Sequence, residues 1–113
     1  MKPVRFVGSA RDDLAAFPKA ARARAGYELF AVQAGRNPDN WKPMATVGPG
    51  AREIRVRDSA GAYRVIYVAQ FADAVYVLHA FQKKTQKTSR ADLEMATQRY
   101  RMACELAEGA SHD

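Results

Sequence analysis

Apolar and polar positions alternate most cleanly in "REIRVRD" (52–58), where Ile54 and Val56 fall on one side and Arg55 and Arg57 on the other. That period of two predicts a half-buried strand. "AYRVIYVAQF" (62–71) and "DAVYVLHAFQK" (73–83) are apolar or aromatic at nearly every position, which predicts two strands covered on both faces. "DSAG" is a turn before the first of them. The link between the two is short, so they form an antiparallel hairpin. "PVRFVG" (3–8) reads as a short strand. Residues 9–35 read as a helical hairpin or one kinked helix: acidic Asp12 and Asp13 suit a first turn, Pro18 suits the start of a second helix, and Gly35 a C-terminal cap. In "TSRADLEMATQRYRMACELAEG", Ser89 and Asp92 form a capping box, and Leu93, Ala96, Tyr100, Ala103 and Ala107 fall on one stripe. Gly109 is expected to end this helix, leaving "ASHD" as a frayed tail.

Between these segments lies "RNPDNWKPMATVGPG" (36–50), with three prolines and two glycines and no periodicity. It is expected to be a loop pinned by Trp41 and Met44, ahead of a base-stacking role for Trp41. The order is therefore β-α-α-β-β-β-α in one α+β domain over 1–113, with a mostly antiparallel sheet.

Charge sharpens this outline. The net charge is +6. It is unevenly spread: residues 52–90 hold eight Lys/Arg and three Asp/Glu, whereas 91–113 hold two and five. The most basic segment is thus the one that reads as buried strand, so its cations must leave from strand ends or from one face. Such a patch attracts polyanions; the plain alternative is charge that only keeps the chain soluble. The single Cys104 excludes an internal disulfide and suits a reducing compartment, the cytoplasm. No apolar run is long enough to span a membrane, and the first residues lack a signal sequence's apolar core.

The chemistry on offer is narrow. There is no phosphate-cradling Gly-rich loop, and one Cys with two distant His cannot make a usual zinc site, so neither metal nor cofactor is expected. What remains is Arg55, Arg57, Arg64, Lys83, Lys84 and Lys87 with Tyr63, Tyr67, Tyr76 and Phe81 between them. Arg64 is a charge inside an apolar strand. It either pairs with a carboxylate such as Glu53 or opens into a concavity that takes an anion. With a turn at Phe71–Ala72, Arg64 would lie opposite His79 with no acid between them, a phosphate-shaped site. His79 is either a base or a packed strand residue. A guanidinium bound to a carboxylate beneath the surface, with the lysines splayed apart in solvent, would defeat the phosphate reading.

"YRVIYVA" and "VYVLHAFQKKTQKT", with "WKPM…VGPGAREIRV" upstream and the last helix, resemble the phage-related branch of the RelE/HigB toxin superfamily over nearly the whole chain. The resemblance implies a RelE/ParE-like fold: an antiparallel sheet, an N-terminal helical hairpin on one side and a C-terminal helix near the other. It also implies a type II toxin–antitoxin toxin that cuts mRNA on the ribosome without metal, by attack of a ribose 2′-hydroxyl on the adjacent phosphate. Arg64, Lys83, Lys84 and His79 then become catalytic candidates, and Lys87, Arg55, Arg57 and Phe81 RNA-binding ones. The implied partner is a helix-turn-helix antitoxin, in a possible hetero-oligomer. Replacing Arg64 by Ala is expected to abolish toxicity and leave the fold intact. A ParE-like gyrase inhibitor or a basic binding module without catalysis are the alternatives. The acidic C-terminal tail departs from the basic or aromatic ending of some RelE members, which leaves the general acid unassigned.

Overall fold

The alternating segment is the third of five strands. In the computed structural model, which describes residues 1–111, the chain runs β1 (Val4–Phe6), α1 (Ala10–Ala15), α2 (Lys19–Gln33), β2 (Trp41–Pro43), β3 (Ala51–Asp58), β4 (Gly61–Val68), β5 (Val75–Lys83) and α3 (Arg90–Ser111). The strands form one mixed sheet in the order β1-β5-β4-β3-β2. β1 is parallel to β5, and the remaining pairs are antiparallel.

Apolar strands need cover on both faces, and the helices supply it. One core cluster packs Ile54, Val56, Val65, Tyr67 and Val77 of the sheet against Ala21, Ala25, Leu29 and Val32 of α2. The other packs Ile66, Val68, Tyr76 and Leu78 against Ala96, Tyr100 and Ala103, the stripe expected on α3. Full burial of a large apolar side chain contributes about 1.5–3 kcal/mol, so two such clusters fix the sheet between its helices. Asp92 N–H donates to Ser89 Oγ at 3.1 Å, the predicted cap of α3. Gly35 takes φ 83° just past α2, where a left-handed residue ends the helix. No helix among the described residues is long and apolar enough to cross a membrane.

Three expectations change. Within 36–50, read as loop, lies the edge strand β2, paired through Trp41↔Ile54, Lys42↔Glu53 and Pro43↔Arg52. Three residues are too few to show a period, and Pro43 is tolerated because an edge strand leaves one side unpaired. Next, β4 ends at Val68 and β5 begins at Val75, so the connection is longer than a turn at Phe71–Ala72. Pairing also skips Leu78, a β-bulge between Ile66↔His79 and Tyr67↔Val77. His79 therefore faces Ile66, and Arg64 faces Phe81 rather than His79. Finally, α3 continues through Gly109 to Ser111; the remainder of the expected tail, 112–113, lies outside the described residues.

The bulge is held by a buried cation. Arg99 on α3 donates from Nη1 to the Leu78 carbonyl at 3.0 Å and from Nη2 to Ser9 Oγ at 2.8 Å. Gly8 lies directly against it: φ is +59°, and a Cβ there would stand 2.8 Å from Arg99 Nε. Gly8→Ala is expected to destabilise the fold by about 2–4 kcal/mol, combining left-handed strain and overpacking against a tethered guanidinium. A denaturant midpoint within error of the wild type would contradict this packing.

Candidate nucleic-acid interface

Residues directly opposite in a sheet share a face, and so do residues two apart along a strand. Applied to the observed register, this aligns the polar positions in three rows on the side of the sheet that carries α3. The first row is Lys42, Glu53, Ile66 and His79; the second is Arg55, Arg64 and Phe81; the third is Arg57, Ala62 and Lys83. α3 covers the face at Ile66, Val68, Tyr76 and Leu78. Arg55 and Arg57 stay exposed, and Lys83 and Phe81 are half-buried. Lys84 and Lys87 follow in the exposed connection to α3. Among the described residues, no carboxylate makes a salt bridge with Arg55, Arg57, Lys83, Lys84 or Lys87. Beside them a cleft of about 210 Å³ is lined by Phe81, Lys83, Lys84, Ser89 and Asp92 among others.

The floor of the face is anionic. Glu53 is 0% exposed, and its Oε1 lies 3.4 Å from Arg64 Nε and 4.0 Å from Lys42 Nζ. Its Oε2 accepts from Thr88 Oγ1 at 3.2 Å. Arg64 is 5% exposed and donates from Nη1 to the carbonyl of Tyr63 at 3.0 Å. Of the two possibilities for Arg64, the structure contains the ion pair with Glu53. The expected phosphate-shaped pocket of Arg64 and His79 is absent, because Arg64 lies opposite Phe81 and His79 opposite Ile66, and each has its own acid. His79 Nε2 shares a 2.7 Å hydrogen bond with Asp92 Oδ1, while Nδ1 is buried with no partner. A base must present a lone pair to its substrate. Neither ring nitrogen of His79 does, and the ring instead stacks on Phe81 with centroids 4.9 Å apart. Half of the condition that would defeat the phosphate reading is thus met. The other half is met for Lys84 and Lys87, which are exposed, but not for Lys83, which is half-buried near Arg64 and Arg55.

That clustering has an electrostatic signature. Burial depresses the Lys83 pKa, and the charge of Arg64 depresses it further, with Lys42 and Arg55 adding to the effect against the pull of Glu53. Burial likewise lowers Arg64, opposed by Glu53, while Arg55 and Arg57 lower it further. A lysine held among cations spends more of its time as the neutral amine, a form that can accept a proton. Among the described residues, no three His, Cys, Asp or Glu side chains gather as a metal site. Sequence reasoning overlooked Lys42, in a stretch with no period, and Thr88, whose contact with Glu53 depends on tertiary structure alone.

Fold and face together define a small α+β protein whose sheet carries an open cationic surface beside the start of its last helix. The chain belongs to a phage-derived family: the model described as "Phage derived protein Gp49-like (DUF891)" matches residues 12–101, which include every strand from β2 to β5 and all three rows of the face. No curated protein matches the chain.

Proposed function

We propose that the protein is the toxin of a type II toxin–antitoxin system, of the RelE/HigB kind, and that it cuts mRNA on the ribosome without a metal. The observation that carries this reading is Lys83, a lysine of lowered pKa that shares a row with Arg57 on an open sheet face, neither making a salt bridge among the described residues. Membership of a phage-derived family and the mixed sheet sandwiched between helices are consistent with it.

In the proposed reaction, neutral Lys83 takes the proton of a ribose 2′-hydroxyl. The oxygen attacks the adjacent phosphorus, and the bond to the 5′-oxygen breaks, giving a cyclic phosphate and a free 5′-hydroxyl. Lys84 as an ammonium returns a proton to the leaving oxygen. Arg55, Arg57 and Lys87 offset the charge that builds on the phosphorane, and Phe81 offers an aromatic surface for a base. Arg64 becomes a fixed charge beneath Lys83 instead of a group that touches RNA. His79 becomes a tie between β5 and the start of α3. The partners proposed are mRNA on the ribosome and a helix-turn-helix antitoxin that covers the basic face.

Primer extension on cellular mRNA after induced expression tests the reading. Discrete codon-linked cuts are expected. DNA breaks without RNA cuts would favour gyrase inhibition, and neither would leave a basic binding module.

A further inference from the structure

Among the described residues of the cationic face, Glu53 alone carries a charge opposed to its neighbours on a wholly enclosed side chain. A buried carboxylate needs close compensation, and several like charges on one face repel one another. Glu53 answers both needs from β3: it faces Lys42 on β2, Arg64 on β4 and Thr88 just before α3. Its Oε1, the oxygen turned to both cations, accepts no hydrogen bond. The carboxylate therefore holds these cations by charge alone, at 3.4 and 4.0 Å. Lys42 is half-buried, with 43% of its side chain exposed, so its ammonium sits at the boundary between Glu53 and solvent.

We propose that Glu53 is a built-in competitor for the anion: it withholds Lys42 from a bound polyanion and so sets how many cations the face presents. Glu53 is a positioning residue in this scheme and touches no substrate. The inference rests on the reading that this face binds RNA, but it concerns binding and can be measured without cleavage.

The probe is a short fluorescein-labelled 2′-O-methyl RNA, which lacks the free 2′-hydroxyl needed for cleavage, titrated by anisotropy over a series of KCl concentrations. Each phosphate contact on a single strand adds about 0.7 to the slope of log K against log salt. Glu53→Gln is expected to steepen that slope by about 0.7 and to bind roughly fivefold more tightly near 0.1 M salt, as Lys42 becomes free to reach a phosphate. Lys42→Ala in the Glu53→Gln background is expected to remove the gain. A residue with a merely structural role would lower the melting temperature and leave the slope unchanged. An unchanged slope in folded Glu53→Gln overturns the proposal; so does a gain that survives Lys42→Ala, since the bare loss of negative charge would then explain it. Should Glu53→Gln fail to fold, the otherwise native chain decides: Lys42→Ala should lower the slope by less than Arg55→Ala does, and an equal loss overturns the proposal. Wild-type binding of the probe with no mRNA cuts in cells would sink the endonuclease reading alone. Wild-type cleavage with an unchanged Glu53→Gln slope would sink the Glu53 inference alone.

Discussion

Arg64→Ala is expected to lose about 3–5 kcal/mol of folding stability, because it leaves the enclosed Glu53 carboxylate without its nearest counter-charge. Against a total of about 5–15 kcal/mol for a domain of this kind, that is a large share. The melting temperature should fall by roughly 10–20 °C. The double variant Glu53→Leu with Arg64→Met removes both charges and should recover most of the loss, as buried ion pairs often tolerate apolar replacement. A single variant that melts within about two degrees of the wild type would mean that Glu53 is hydrated and that the pair is not closed in solution. This expected loss stands against an intact fold in Arg64→Ala, and the melting temperature decides between them. Lost toxicity in that variant cannot by itself identify a catalytic arginine.

Lys83→Ala should act in the opposite way. Lys83 is half-buried and makes no salt bridge among the described residues, so its loss should hardly move the melting temperature. Cleavage, by contrast, should fall by about 10²–10⁴ if this amine is the base. The sign of the pH dependence follows from its depressed pKa. A base works deprotonated, so the wild-type rate should climb with pH and level off below the ordinary lysine value. Arg55→Gln removes one of the cations that depress Lys83 and should shift the rising limb to higher pH. A rate profile that keeps its limb in Lys83→Ala would assign the proton transfer to another group.

Much of this architecture was readable from spacing. The period of two at 52–58 separated Ile54 and Val56 from Arg55 and Arg57, and the structure keeps that division between the α2 side and the open face. The apolar runs of β4 and β5 required two covered faces, and the helices cover both. Failures arose where one residue or one contact decides. A bulge carries no residue signature, yet Leu78 shifted the pairing of every residue after it, and together with the longer connection it set Arg64 opposite Phe81 instead of His79. β2 was too short to show a pattern, which hid Lys42. Glu53 was legible as a possible partner for Arg64, but burial decides between an ion pair and an anion site, and burial depends on tertiary neighbours such as Thr88 and Lys42.

The parallel pairing of Val4, Arg5 and Phe6 with Val75, Tyr76 and Val77 has a consequence for biogenesis. On a ribosome the chain emerges from its N-terminus, yet β1 has nothing to join until β5 has been made. Distant pairing of this sort closes late, since the intervening chain must be ordered first. Until it closes, β5 presents a bare hydrogen-bonding edge, the kind of surface that recruits stray strands. A strand translated before the rest of its sheet is therefore the seal on that sheet, and it is applied last.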